Sequence, residues 1–167
     1  MITIAAIGPG DWPAVVALNN AATPHVNALG EAQMRRLGAE ARLALRATAD
    51  REIAGFVLAL APGADYASPN YRWFAARYRD FLYVDRVAVA SRWRGRGIAW
   101  RLYEAVFAAA GAAPVCCEVN LRPANDTSMR FHLGLGFVEV GRQMVEDGAK
   151  EVALLAASPP AATPPRR

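Results

Sequence analysis

The sequence predicts an α/β fold, an α+β mixed sheet covered by helices on both faces. Three observations carry this reading. Short apolar strands joined by tight turns open and close the chain, a strand–helix–strand unit lies between them, and apolar residues recur at helical spacing after Gly97. The 167 residues suit one domain with a real core, residues 1–157. Residues 158–167 hold four prolines and read as a disordered tail.

Taken in order, Ile2 to Ala6 reads as a first strand. Asp11 is a helix N-cap, with Pro13 in the first turn of a helix reaching about Asn20. A loop, Thr23 to Asn27, leads to a short helix from Glu31 to Leu37 that Gly38 closes as its C′ residue. Ala41 to Ala47 and Glu52 to Leu60 form an antiparallel hairpin. The insertion from Pro62 to Asp80 is long and rich in aromatics, which favours a functional segment over a disordered one.

Phe81 to Val89 is the next strand, and Arg92-Trp-Arg-Gly95-Arg-Gly97 is a glycine turn. In the helix from about Ile98, residues Ile98, Leu102, Ala105, Val106 and Ala109 share one buried face. Gly111 and Pro114 end it. Val115 to Asn120 is a strand and Asn125 to about Leu135 a helix. Phe137 to Val145 and Lys150 to Ala156 close the domain as a hairpin.

Composition narrows the function. With 54% hydrophobic and 20% charged residues the chain is globular. No apolar run reaches the ~18 residues that span a bilayer, so no membrane role is expected. The N-terminus has no basic region ahead of its apolar residues, and a cytoplasmic protein is the expectation. A net charge of +4, half of it in the terminal arginines, suits one anionic ligand and no nucleic acid. Cys116 and Cys117 are adjacent in a strand and face opposite sides, so they read as small buried residues, with no metal site.

The glycine turn is the firmest chemical signal. A strand that turns through glycines into a helix leaves backbone N–H groups pointing at whatever lies above the helix start. Arg92, Arg94, Arg96 and Arg101 surround that point, so an anion is expected, most simply a phosphate. The turn lacks the Gly-Lys-Ser/Thr of a nucleotide P-loop and has Trp100 where a dinucleotide fingerprint has its third glycine.

These residues resemble the core of the GNAT superfamily of acetyl-CoA-dependent N-acyltransferases. That family's turn reads Arg or Gln, two residues, Gly, one residue, Gly or Ala, as Arg92 to Gly97 does here. Its later pattern of Asn, Ser or Ala, Phe-Tyr and Gly-Phe is similar to Asn125, Ser128, Phe131-His132 and Gly136-Phe137, with one substitution. The resemblance implies about seven strands, about four helices and splayed central strands. It also implies acetyl-CoA, with the coenzyme A pyrophosphate on the N–H groups of Arg94, Gly95, Arg96, Gly97, Ile98 and Ala99. The pantetheine arm would run along Val87, Ala88 and Val89, and Asn125 would hold or orient it, with Ser128 on the same helix stripe. Relatives are often dimers, so a homodimer is an open expectation.

Two residues are candidates for proton transfer. His132 stands where the family often has the Tyr that protonates the leaving thiolate, and imidazole can act as acid or base near neutrality. A histidine satisfied by its helix neighbours is the plainer alternative. Asp85, placed by strand alternation on the face of Val87 and Val89, matches a carboxylate that many relatives use as general base; pairing with Arg86 or Arg79 is its plainer role. For the acceptor, a small-molecule or peptide amine, family logic points to His25 and to the aromatics around Tyr71 and Trp73. Those aromatics equally suit a cover over the sheet. The function read from all this is direct acetyl transfer from acetyl-CoA to an amine, and the rival is a non-catalytic acyl-CoA-binding module.

Overall fold

The computed structural model describes residues 1–158, so the proline-rich tail lies outside the described residues except for Ser158. Seven strands form one sheet: β1 (Ile2–Ala6), β2 (Leu43–Ala49), β3 (Glu52–Leu60), β4 (Leu82–Val89), β5 (Val115–Arg122), β6 (Val138–Val145) and β7 (Lys150–Ala157). Five α-helices accompany them: α1 (Trp12–Ala21), α2 (Glu31–Glu40), α3 (Pro69–Ala75), α4 (Ile98–Ala110) and α5 (Asp126–Gly134). Among the described residues no helix is long and apolar enough to cross a membrane.

The strand order is β1-β2-β3-β4-β5-β7-β6. Every neighbouring pair is antiparallel except β4 and β5, which the α4 crossover makes parallel. Those two strands pair only at Leu82 with Val115 and Tyr83 with Cys116, then diverge. Alternate main-chain groups from Val84 onward therefore lose a partner strand and face an open wedge.

Apolar side chains fill both faces of the sheet, which is why β3 is buried along nearly its whole length. One cluster lies under α4 and α5 and includes Val57, Leu102, Tyr103, Cys117 and Leu155. The other lies under α1, α2 and α3 and includes Trp12, Met34, Phe56, Phe74 and Cys116. The adjacent cysteines thus serve opposite faces, both as free buried thiols.

Three sequence expectations need correction. Asp11 does not cap α1 with its side chain. Its carboxylate instead accepts from the Gly8 amide at 2.6 Å and pairs with Arg46 at 2.7 Å. Gly38 does not end α2, which runs on to Glu40. A Cβ at Gly38 would stand 2.1 Å from Cη2 of Trp12, so the glycine is there to let the indole pack. The aromatic insertion holds a helix, α3, which makes five helices where about four were expected. Ser68 caps it by accepting from the Tyr71 amide at 3.4 Å, and Pro69 fills its first position.

Candidate active site

The wedge between β4 and β5 opens into a cavity of about 770 Å³. Val84, Asp85, Val87 to Val89 and Cys117 to Asn120 form its sides, the glycine turn and α4 one end, and α5 with residues 21–23, 25 and 26 the remainder.

Ser91–Trp93 makes one turn of 3-10 helix, after which Gly95 and Gly97 take φ of +72° and +76°. Only glycine adopts such values freely. A Cβ at either position would meet no atom within 4 Å, so the space above the turn is open and the backbone angle alone demands glycine. No side chain caps α4 at Gly97, and Arg101 is the first amide of the helix to reach a main-chain acceptor, the Gly97 carbonyl at 3.1 Å. The amides before it are left for an anion. Gly55 of β3 lets this helix start sit close, since a Cβ there would come within 3.1 Å of Ile98 and 2.9 Å of the Ala88 carbonyl.

A further donor lies in the wall of the same cavity. The indole N–H of Trp93, at the cavity wall, is buried without an acceptor. Open amides, an orphaned N–H and an unpaired strand edge fit a long ligand with an anionic diphosphate and an amide-bearing arm, which is what coenzyme A is. Arg94 borders the cavity, whereas Arg92 turns away to pair with Glu52 and Arg96 lies over the Trp93 ring. Val87, Ala88, Val89, Ile98, Ala99, Asn125 and Ser128 all line the cavity. Asn125 also caps α5, its Oδ1 accepting from the Ser128 amide at 3.2 Å.

Strand alternation fails at Asp85. Arg86 pairs with Leu58 and Val84 with Ala59, so Asp85 is the extra residue of a β-bulge. Val87 and Val89 therefore pack with the α4 cluster, while Asp85 turns to the other face of the sheet. There its Oδ1 accepts from the hydroxyl of Tyr66 at 2.7 Å. Its Oδ2 lies 3.0 Å from Nε of Arg86, without hydrogen-bond alignment between the two. Burial raises the Asp85 carboxyl, and Arg86 and Tyr66 oppose that shift.

Glu118 of β5 is the residue that sequence reasoning missed. Its Oε2 accepts from the buried hydroxyl of Tyr83 at 2.6 Å, and it borders the cavity. Burial, with the Asp85 charge added, pushes its carboxyl up to about 8 against the bonds from Tyr83 and Asn70. The available signal was a carboxylate inside the otherwise apolar run Val115-Cys-Cys-Glu-Val119.

His132 lines the cavity and is only 3% exposed. Its Nδ1 sits 2.7 Å from the Ser128 carbonyl and therefore carries the proton, leaving Nε2 to accept from the Tyr103 hydroxyl at 2.6 Å. Phe131, Phe137 and Tyr103 stand edge-on or tilted around the ring. Burial lowers the imidazole, so it is neutral at pH 7.

Of the acceptor candidates, His25 lies at the cavity. Tyr71 and Trp73 do not reach it. The Tyr71 hydroxyl donates to the Ala61 carbonyl at 2.7 Å, and its ring packs among Tyr66, Phe81 and Tyr83. Trp73 covers Gly141 of β6, with the Arg77 guanidinium 4.0 Å from its ring centre. Two residues apart and so on different sides of α3, Tyr71 packs on Tyr83 of β4 and Trp73 on Gly141 of β6.

Comparison with known proteins gives the same picture. No individually curated protein is detectably similar to the chain in sequence. Among solved structures, the ribosomal-protein-S18-alanine N-acetyltransferase of Escherichia coli is similar over 100% of this chain and 99% of its own, at 18% identity and TM-score 0.73. Ard1 of Thermoplasma volcanium is similar over 94% of this chain and 97% of its own, at 18% identity and TM-score 0.76. Naa50 of Arabidopsis thaliana, in complex with the bisubstrate analogue CoA-Ac-MVNAL, is similar over 94% and 98%, at 12% identity and TM-score 0.70. At such identities these likenesses speak for the fold. The model of the acetyltransferase (GNAT) family matches residues 12–137, and on that match the chain belongs to this family of acyltransferase enzymes.

Proposed function

We propose that the protein is an N-acetyltransferase that moves an acetyl group from acetyl-CoA directly to an amine. The observation that carries this is one continuous cavity, with uncapped amides at one end and a shifted carboxylate in its side. Acetyl-CoA supplies an activated thioester carbonyl when bound. The amides of residues 95–99 and the start of α4 hold its diphosphate, the Arg94 amide being taken by the Ser91 carbonyl at 3.3 Å; the free edge at Val87–Val89 orients its arm, and Asn125 and Ser128 offer further hydrogen bonds.

Glu118 accepts the proton of the incoming ammonium. An ordinary carboxylate is too weak a base for that task, and a carboxyl near 8 matches it far better. Asp85 assists from beside it, its negative charge raising Glu118, while Arg86 and Tyr66 fix its position. His132 has no proton free to give, since Nδ1 donates to the Ser128 carbonyl and Nε2 accepts from the Tyr103 hydroxyl, so the departing thiolate takes its proton from water while His132 holds the Tyr103 hydroxyl in the cavity wall. Among the described residues no cysteine is positioned as a nucleophile, since burial raises both thiols, so the amine attacks without an acyl-enzyme.

The test is amine-dependent release of free thiol from acetyl-CoA by the wild type and by Glu118→Gln. The wild-type kcat/KM should rise with pH through a value near 8. The variant should lose that limb and fall ~100-fold or more. A variant with the wild-type rate and profile removes Glu118 from the mechanism.

A further inference from the structure

We propose that Asn70 of α3, itself set by Gln143 of β6, is the positioning residue that holds the Glu118 carboxylate in place for the incoming amine. The proposal rests on the reading of Glu118 as the base and adds the two residues through which α3 and β6 act on it.

A buried carboxylate carries acceptors alone and so needs donors around it. Tyr83 of β4 supplies one, from its hydroxyl to Oε2 of Glu118 at 2.6 Å. The side-chain amide of Asn70 supplies another. Asn70 is buried on the face of α3 that also carries Tyr71 and Phe74, at the i, i+1, i+4 spacing of one helix side, and α3 packs on β4 and β5. Its NH2 must face the carboxylate, so its Oδ1 points away, and there Nε2 of Gln143 donates to it at 2.5 Å. Turning over either amide, or both, would set oxygen against oxygen. The depth of Asn70 depends on β6 as well. A Cβ at Gly141 would stand 2.6 Å from Cζ2 of Trp73, so the bare strand there lets α3 lie close. Gly141 and Glu118 both pair with Leu154 of β7, which places the three in one row across the sheet.

The ionisable groups around Glu118 come from other elements. β4 brings Asp85 with its partner Arg86, the segment before α3 brings Tyr66, and α4 brings Tyr103. On α3 the Tyr71 hydroxyl is turned to the Ala61 carbonyl. Cys117 belongs to the opposite face of the sheet, and His25 and His132 lie elsewhere in the cavity wall. The Asp85 charge raises the Glu118 carboxyl, whereas the bonds from Tyr83 and Asn70 lower it. Without Asn70 the carboxylate keeps the repulsion and loses a donor, so it takes up its proton at higher pH.

The experiment is an NMR titration of the Glu118 carboxyl carbon, identified by its loss in Glu118→Gln, in the wild type, Asn70→Ala, Gln143→Leu and the double variant. Thiol release from acetyl-CoA is followed against pH in the same proteins, with whichever of a panel of primary amines the wild type uses best. The wild-type carboxyl should titrate near 8. In Asn70→Ala it should titrate about one pH unit higher, and kcat/KM at pH 7 should fall about tenfold. Gln143→Leu should move the titration in the same direction by less. The double variant should go no further than Asn70→Ala, because Gln143 acts through Asn70. A titration unmoved in Asn70→Ala would overturn the proposal, and so would shifts that add in the double variant. Should Asn70→Ala fail to fold, Asn70→Asp keeps the shape and sets a second negative charge beside Glu118. It should raise the titration further still, and an unmoved value there is equally fatal. A wild-type rate profile that does not follow the Glu118 titration would instead strike the underlying reading of Glu118 as the base, and the proposal with it.

Discussion

Glu118 and His132 line the same cavity, and loss of water shifts them in opposite senses to the same end. Burial raises the carboxyl and lowers the imidazole, so each favours its neutral form. The consequences for stability are opposite too. A raised carboxyl binds more protons folded than unfolded, so Glu118 favours folding at low pH and loses that effect as pH rises from 4.5 to about 8. A lowered imidazole binds fewer protons folded, so His132 costs stability as pH falls below 6.5. Replacing His132 with Phe should slow kcat while leaving the Kd for acetyl-CoA unchanged. It should also destabilise the fold by about 1–3 kcal/mol, because the Tyr103 hydroxyl and the Ser128 carbonyl lose their partner. If turnover survives at every pH, His132 is only a packed residue. The stripe shared by Asn125, Ser128 and His132 was legible from helical spacing, but the Tyr103 hydroxyl on Nε2 was not, since it comes from a helix 29 residues away.

At the scale of elements, regular patterns were readable and interruptions were not. The seven strands follow from apolar runs between turn residues, and α4 from its periodicity and its glycine stop. The bulge that re-aims Asp85 leaves no Gly or Pro to mark it, so alternation alone put that side chain on the wrong face. The signal for α3 was present as Ser68 followed by Pro69, a cap and a first-turn proline, and the surrounding aromatics masked it. Gly38 shows a local rule losing to packing. Replacing a helical glycine with alanine ordinarily gains ~1 kcal/mol. At Gly38 the added methyl would strike the Trp12 indole, and overpacking costs about 1–3 kcal/mol. Gly38→Ala should therefore lower the denaturant midpoint without changing the slope, and a midpoint at or above wild type would contradict the contact.

For the whole molecule, the division of labour follows the sheet. The α4 and α5 side presents main-chain amides and short polar side chains to the cavity. Across the sheet, α1, α3 and the segments beside them bring Tyr66 against Asp85 and the Asn27 carbonyl against Arg86. The first side was legible because glycine and arginine spacing expresses backbone geometry directly. The second was not, because its parts come from residues 19–27, 66–70, 85–86 and 118–120, and no local motif joins them. Both sides meet only because β4 and β5 part after two paired residues.

The most direct test asks whether the diphosphate sits on the glycine turn. Thermal unfolding is followed with and without acetyl-CoA, in the wild type and in Gly97→Glu, whose side chain would fill the phosphate seat and oppose its charge. At 100 times Kd the wild-type Tm should rise by roughly 5–10 °C, and the variant should show no rise. An equal rise in both proteins would place the cofactor elsewhere and contradict the account.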